Sequence, residues 1–472
     1  MAPIGVRNLI CFLAGLTATL MCGIGTVTRG LELLFLLPVA FTICSLLFSR
    51  AFSYWRENVA FVIIFATIGV RYLVTPVLMT LSGTALTTVS PSPGYYRLAI
   101  FTQIFELFAT LAVIDYVWTR HKRKVSFAEK SSAPSKVDFK LSWLGTLLLL
   151  ALVVLEFSRS QFLVLMNRYS TWWRISNDFS AIYFYDYICV EVVKAVVAVS
   201  MIAFFAKQFY KTKSLFIRVV CYLLAVVMGA STTMLFMFDQ RTSLVQLVIS
   251  ALMVLVAFFP DQKKLSFTVF GIGGSFLVAY VFASGSMRTE SGGGFVAELS
   301  KMAELYVSGP SMVAITQQKY GWVRSNMSAM TYLSDLITSS HIFGMFPFLR
   351  GINNLVAGVP TTNILFVQSL GGLTYILPNY SLWTYYATDL FGWLFEILSI
   401  YLVVRMICYA DDKKKQVGDA CYYYALVFTE TLLGQAVFVN NTFLLWHTFT
   451  GLPIWLLIFA YVNRLGKKFR LK

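Results

Sequence analysis

The feature that most constrains this chain is a series of continuous apolar runs, each about 20 residues long, enough for a helix to cross a bilayer. Helices satisfy their own backbone hydrogen bonds, which lipid cannot do. The strands of a membrane barrel would instead alternate apolar and polar residues over about 10 positions. Only 13% of the residues are charged, whereas soluble domains carry about 25%. The sequence therefore predicts an all-α polytopic membrane protein.

Twelve spans are predicted, at 9–28, 31–48, 58–80, 96–118, 141–158, 181–206, 215–237, 243–259, 265–284, 382–406, 420–440 and 443–463. With the N-terminus placed in the cytoplasm, the inner side holds 25 of the 38 Lys and Arg residues, the outer side holds 11, and 2 lie within spans. This distribution follows the positive-inside rule. It predicts that both termini are cytoplasmic. The chain then divides into 1–284 with spans 1–9, a large extracytoplasmic loop over 285–378, and 379–472 with spans 10–12.

The membrane assignment also accounts for the net charge of +16. The basic cluster at 120–124 lies at the predicted inner end of a span, where it anchors the topology and contacts anionic lipid. The seven cysteines have no disulfide or metal spacing, and the motifs of ATP-driven pumps, serine hydrolases and zinc proteases are absent from the sequence. We therefore expect membrane lipids as partners, but no nucleic acid, cofactor or metal. We also expect His121 and the Asp411–Asp412 pair to be solvated on the cytoplasmic side.

Polar and aromatic residues collect in the predicted external loop. Its segments MAELYVSGPSMVAI and SHIFGMFPFLRGINNLV predict short helices that pack against the membrane face. Arginines gather on this side, and a guanidinium binds phosphate bidentately and stays charged. His341 is the titratable group there with a near-neutral reference pKa. Gly292–Gly294, ahead of the short helices, offer a hinge.

Charged residues within predicted spans are functional candidates because burying charge in lipid is costly. They are Arg71, Glu106, Asp115, Asp186, Glu191, Lys194, Asp389 and Glu396. Glu191 and Lys194 lie three residues apart on one helix face, so they could neutralise each other. Asp389 is placed just inside the outer end of the tenth span.

Three segments carry a family resemblance. They are TTNILFVQSLGG with YYATDLFGWLFEILSIYLV (within 361–403), FDQRTSLVQLVISALMVL (238–255) and ELYVSGPSMVAITQQ (304–318). Each resembles a segment of the oligosaccharide repeat-unit polymerases. These are the O-antigen and capsule polymerases of the Wzy family. The first resembles their Asn-containing stretch, which is followed by an Asp-x-Gly-x-x-Gly-like helix start. The second resembles their Gly-Ser-Arg-type turn, and the third resembles their Gly-Pro loop segment. The chain departs from the family pattern at two points. The glycine that follows Asp389 is offset by one position from the family's glycine, and a strict Arg-x10-Gly signature is absent.

The resemblance implies a GT-C-like glycosyltransferase of the bacterial cytoplasmic (inner) membrane. Such an enzyme joins undecaprenyl-pyrophosphate-linked oligosaccharide repeat units on the outer side, transferring the growing glycan to the next lipid-linked unit. Arginines would stabilise the pyrophosphate leaving group without a metal, and a base would activate the acceptor hydroxyl. A polysaccharide chain-length regulator is implied as a partner. The candidates are His341, Asp335, Asp389 and Glu304 for catalysis; Arg241, Arg288, Arg324 and Arg350 for pyrophosphate; and Tyr306, Gln317, Gln318, Asn353, Asn363, Trp322 and Trp383 for sugar.

Two alternatives stay open. A ligase of the same fold would move a finished glycan onto another acceptor, and it would share the loop and the arginines. A flippase or other transporter of lipid-linked oligosaccharides would instead carry functional charges deep within several helices. The sequence places most arginines at the outer mouth, which favours transfer, although several charges lie inside predicted spans.

Overall fold

The computed structural model describes residues 4–25, 29–83, 91–128, 139–158, 185–231, 241–269, 271–272, 295–338, 350–371, 392–416, 418–438 and 450–469. The helices are α1 (Ile4–Ile24), α2 (Leu36–Leu47), α3 (Ser49–Ser53), α4 (Val59–Gly69), α5 (Thr75–Ser82), α6 (Pro93–Ala128), α7 (Trp143–Ser158), α8 (Tyr185–Lys211), α9 (Leu215–Ser231), α10 (Arg241–Phe258), α11 (Phe295–Val307), α12 (Pro310–Ser325), α13 (Ala329–Thr338), α14 (Arg350–Asn354), α15 (Thr362–Ser369), α16 (Gly392–Gln416), α17 (Ala420–Ala436) and α18 (Leu452–Phe469). No β-strand occurs in these ranges, in agreement with the predicted all-α class.

Four of the described helical runs are long and apolar enough to cross a membrane. They are Val59–Ser82, Pro93–Lys122, Val192–Lys211 and Gly392–Gln416. The first is continuous because a π-helical turn, Val70–Val74, joins α4 to α5. Five shorter apolar helices accompany them. The predicted spans 58–80 and 96–118 coincide with the first two runs, and the count of twelve spans stays a prediction.

Helix α17 lies at the centre of the fold and joins two apolar cores. One core packs α17 with α2, α4, α6 and α16, and the other packs it with α8, α9, α10 and α18. Gly434 lets α17 approach α4 closely, because a Cβ atom there would lie 2.6 Å from the carbonyl oxygen of Ala60. Small residues at such crossings are typical of membrane helices, whose backbones gain stability from close packing.

A buried ionic cluster forms where α4, α16 and α17 meet. The Asn58 side chain caps α4 and donates from Nδ2 to Asp411 Oδ1 at 3.2 Å and to Glu430 Oε1 at 2.9 Å. Lys414 Nζ donates to both oxygens of Glu430, at 2.8 and 2.7 Å. The expectation of a solvated Asp411 was therefore wrong: its side chain is buried and pairs with Lys414 and Lys415.

His121 is buried as well, contrary to the expectation from sequence. Its ring lies against Trp118, with the centroids 5.0 Å apart, and its Nε2 lies 3.3 Å from Asp412 Oδ1. Asp412 itself is 41% exposed, so this aspartate does remain in contact with solvent. The His121–Asp412 contact places the C-terminal parts of α6 and α16 side by side.

Candidate functional site

Helices α11 and α12 form a hairpin whose turn is set by three residues, Ser308, Gly309 and Pro310. Ser308 has a φ of 51°, the left-handed conformation that ends many helices, and Gly309 N–H donates to Glu304 C=O at 2.8 Å. This is the Schellman pattern of a helix C-terminus. A Cβ atom on Gly309 would lie 2.9 Å from Glu304 Cγ, so only glycine fits the close approach. Pro310 then starts α12, where proline suits the first helical position.

The tip of this inserted hairpin, residues 307–316, is buried without interruption between other helices. Helix α11 packs on α5, and α12 packs on α6. Gln103 Nε2 donates to Ser308 C=O at 2.9 Å, and Gln317 Nε2 donates to Thr102 Oγ1 at 2.7 Å. Gln103 is ten residues from the start of α6, so the tip lies about 15 Å along that helix. The segment forms the short helices that the sequence predicts, and these helices pack on α5 and α6.

Glu304 lies three residues before the tip and is buried, with 1% of its surface exposed. Its carboxylate faces the N–H and hydroxyl of Ser311, without hydrogen bonds of regular geometry, and Tyr96 of α6 lies beside both residues. Burial raises the pKa of Glu304 to about 7, while the Ser311 groups act in the opposite direction. A carboxyl group with this pKa can take up or release a proton near neutral pH, which is what a general acid–base group requires.

Deeper along α6, a charged group occupies the interior of the helical bundle. Arg71 Nη2 lies 2.6 Å from Glu106 Oε2, and both side chains are buried. Glu396 of α16 interacts electrostatically with both of them. The guanidinium also lies 5.3 Å from the centre of the Phe438 ring. One buried cation therefore faces two carboxyl groups contributed by two other helices, which is expensive to maintain without a function.

The π-helical turn places Arg71 toward this interior. Single π-helical turns within α-helices are frequently found at functional sites. The following residue, Tyr72, is fully buried and donates its hydroxyl to Gln103 C=O at 2.6 Å. Thr102, Gln103, Glu106 and Thr110 form a buried polar stripe on α6. This stripe links Arg71 with the tip of the inserted hairpin.

Asp335 has a different environment from Glu304. Its two carboxylate oxygens accept the N–H of Thr362 at 2.8 Å and the Thr362 hydroxyl at 2.6 Å, so they tie α13 to the first turn of α15. Burial raises the pKa of Asp335 to about 6, against the effect of the Thr362 donors. Both oxygens are thus engaged in holding two helices together, whereas those of Glu304 face the start of α12.

The exposed end of α12 carries several of the predicted binding residues. Gln318 and Trp322 are exposed there, and Arg324 donates from Nη1 to the Tyr320 hydroxyl at 2.7 Å. Gln317, in contrast, is half-buried and bonded to Thr102. The exposed residues Gln318, Trp322 and Arg324 therefore form one polar and aromatic end of the hairpin, two to eight residues beyond its buried tip.

The structure brings together only part of the predicted site. Tyr306 and Asn363 are half-buried, on α11 and α15. Arg241 and Arg350 begin α10 and α14. The side chains of Arg241, Arg350 and Asn353, and the whole of His341, Asp389, Arg288 and Trp383, lie outside the described residues. The part of the chain that is described contains no group of three His, Cys, Asp or Glu residues suited to a metal.

Sequence reasoning did not assign Tyr96, Gln103 or Ser311 to the site. It identified Arg71, Glu106 and Glu396 as charges within spans but gave them no common location. A usable signal was present in the i, i+4 spacing of Thr102, Glu106 and Thr110, because polar residues at this spacing share one helix face.

Comparison of the chain with protein-family models, curated proteins and solved structures finds no match.

Proposed function

We propose that this protein is a polysaccharide polymerase that joins lipid-linked oligosaccharide repeat units at the outer face of the bacterial cytoplasmic membrane. The observation that carries the proposal is Glu304, a buried carboxyl group with a pKa of about 7 next to the tip of the inserted hairpin. The motif resemblance includes this segment, and the long apolar helices around it suit a lipid-linked substrate. In this proposal the enzyme belongs to the GT-C-like glycosyltransferases and needs neither nucleotide nor metal.

In the proposed reaction, Glu304 accepts the proton of the acceptor hydroxyl on the incoming unit. That oxygen forms a bond to the anomeric carbon of the growing chain. The bond from this carbon to the pyrophosphate oxygen breaks, and the pyrophosphate leaves with the bonding electron pair. Arg241, Arg288 and Arg350 are the proposed cations for this leaving group, since fixed cations stabilise charge that develops in the transition state. Arg324 lies fourteen residues beyond Pro310 on α12, or about 21 Å along the helix, so it is too far from Glu304 to act on the same leaving group.

Access to Glu304 requires the inserted hairpin to move. The carboxyl group is buried between α11, α12 and α6, so an acceptor hydroxyl can reach it only when the tip separates from α6. Side-chain hydrogen bonds from Gln103 and from Gln317 hold the turn and α12 against α6. Each contributes on the order of 1 kcal/mol, which substrate binding can offset.

A transporter of lipid-linked oligosaccharides is the second candidate function. The observation that favours it is the buried group of Arg71, Glu106 and Glu396, which lies deep within three different helices. Charges in such positions are typical of proton and ion pathways. A ligase shares the proposed chemistry of the polymerase and differs only in its acceptor.

A reconstitution experiment tests the proposal and separates these candidates. Purified protein receives a single lipid-linked repeat unit from its host, with EDTA and without nucleotide, and the products are resolved on a gel. We expect a ladder from the wild type and none from Glu304→Gln. Glu298→Gln is the matched control, because Glu298 lies on the same helix but pairs with Lys301 at 3.6 Å. Transfer to a different acceptor without a ladder would make the protein a ligase. Movement of the unit across liposome membranes without any transfer would make it a transporter.

A further inference from the structure

An apolar groove lies between α6 and α16, on the side of these helices that faces away from the protein interior. The polymerase proposal does not use this groove. The two helices run parallel: Phe105 packs against Trp393 at one end, with centroids 4.4 Å apart, and His121 contacts Asp412 at the other. Between these contacts lies a groove of about 410 Å³. It is lined by Ala112, Val113 and Tyr116 of α6 and by Leu394, Leu398 and Tyr401 of α16. The groove faces outward, so it would be open to the bilayer if both helices cross a membrane.

Two arginines stand at one end of this α6–α16 groove. Arg120 follows Tyr116 by one turn, and its guanidinium carbon lies 4.1 Å from the centre of the Tyr116 ring. Arg405 follows Tyr401 by one turn on α16. Residues four apart lie on the same helix face, so both cations extend the two walls of the groove. Both side chains are exposed, and this is the end at which the basic residues of the chain are predicted to be cytoplasmic.

The length of the groove fits one leaflet of a bilayer. From Leu394 to Arg405 there are eleven residues, or about 16 Å of helix. The hydrocarbon core of a bilayer is about 30 Å thick, so one leaflet contributes about 15 Å. An acyl chain lying along the groove would therefore have its headgroup at the level of Arg120 and Arg405.

We propose that the α6–α16 groove is a binding site for an anionic phospholipid, with an acyl chain in the groove and the phosphate between Arg120 and Arg405. A zwitterionic lipid also fits the apolar walls and carries a phosphate, but the positive charge of its ammonium group offsets the attraction to two guanidiniums. A transmembrane helix from a second copy would need apolar contact over the full thickness of the bilayer, whereas the groove covers about half of it. The two guanidiniums at one end of the groove therefore favour a lipid with an anionic headgroup over a protein helix as its ligand.

Native mass spectrometry tests this site in the full-length protein. Detergent-solubilised protein is mixed with equal amounts of phosphatidylglycerol and phosphatidylcholine, and the lipid adducts that survive activation are counted. Two basic groups near an anionic headgroup give a preference on the order of 30-fold for the anionic lipid. We expect Arg120→Gln with Arg405→Gln to remove this preference. Lys263→Gln with Lys264→Gln is the control, since it removes the same charge from exposed side chains elsewhere.

Filling the groove tests the apolar half of the site. Leu398 is 49% exposed, so Leu398→Trp adds volume without disturbing a core. We expect Leu398→Trp to reduce retention of both lipids, and Ala112→Leu, a smaller change in the opposite wall, to do the same. The proposal is overturned if both lipids are retained equally by the wild type, or if the control pair lowers the preference as much as the arginine pair. A dimer that dissociates on Leu398→Trp would also overturn it and assign the groove to a second copy.

Discussion

Replacing Glu304 by glutamine should remove a pH dependence from the docking of the inserted hairpin. In the folded protein the pKa of this carboxyl group is about 7, whereas its ordinary value is 4.5. Each unit of pKa difference corresponds to 1.36 kcal/mol between the two protonation states. The pH-dependent contribution of Glu304 to docking of the hairpin is therefore at most about 3 kcal/mol. Because the folded pKa is the higher one, this stabilisation is fully present below about pH 4.5 and is lost as the pH rises through 7.

Hydrogen–deuterium exchange of residues 307–316 measures this docking directly. In lipid nanodiscs between pH 4.5 and 8.5, and after correction for the intrinsic exchange rate, we expect the protection of these amides to fall in the wild type by up to about a hundredfold. Glutamine resembles the neutral carboxyl group, so Glu304→Gln should keep its protection across the range. Amides of α17 should behave identically in both proteins.

The control for this experiment is Glu298→Gln, which changes a carboxyl group on the same helix and should reproduce the wild-type pH dependence. The reasoning fails if wild type and Glu304→Gln lose protection in parallel. It fails equally if protection of the wild-type tip increases with pH, since that would mean that the buried carboxylate is stabilised in its charged form.

Three further substitutions should lower the stability of the protein, and each effect can be measured as a shift in the midpoint of detergent-induced unfolding. Gly309→Ala places a methyl group against Glu304 and should cost about 1–3 kcal/mol by overpacking, with loss of transfer activity. Gly434→Ala should cost a similar amount, about 1–3 kcal/mol, because it separates α17 from α4. Arg71→Met should cost about 3–5 kcal/mol, since it leaves the buried Glu106 without its cation, and adding Glu106→Gln should recover most of this loss.

Matched glycines provide the controls for two of these changes. A Cβ atom at Gly321 of α12 or at Gly69 of α4 meets no other atom within 4 Å. Gly321→Ala and Gly69→Ala should therefore leave unfolding unchanged or slightly improve it. Equal losses in the controls would mean that the close contacts at Gly309 and Gly434 do not limit stability. If the double variant Arg71→Met with Glu106→Gln unfolds as readily as Arg71→Met alone, the two side chains are not energetically coupled.

The long helices could be predicted from sequence because their information is local. The runs behind Val59–Ser82 and α6 are apolar over a length that only a spanning helix requires, so composition and length were sufficient. The inserted hairpin could not be predicted in this way. Helices α11 and α12 are short and carry several polar residues, which is equally compatible with a surface loop. Their burial depends on the packing of α12 against α6, a contact between segments about 200 residues apart.

The candidate site was predictable by residue type but not by arrangement. The sequence identified Glu304, yet nothing local distinguishes it from Asp335, whose oxygens are engaged by Thr362. Arg71 and Glu106 are 35 residues apart, and only the crossing of two helices and a π-helical turn bring them within 2.6 Å. The α6–α16 groove likewise depends on two segments about 280 residues apart in the sequence that lie side by side in the fold.

The most direct test of the central claim is the pH dependence of glycan elongation. Purified protein in liposomes is supplied with a lipid-linked repeat unit, and the initial rate of ladder formation is measured from pH 5 to 9 for the wild type, Glu304→Gln and Glu298→Gln. If Glu304 is the base, the wild-type and Glu298→Gln rates rise with an apparent pKa near 7, and Glu304→Gln forms no ladder at any pH. A ladder formed by Glu304→Gln at the wild-type rate would contradict the account.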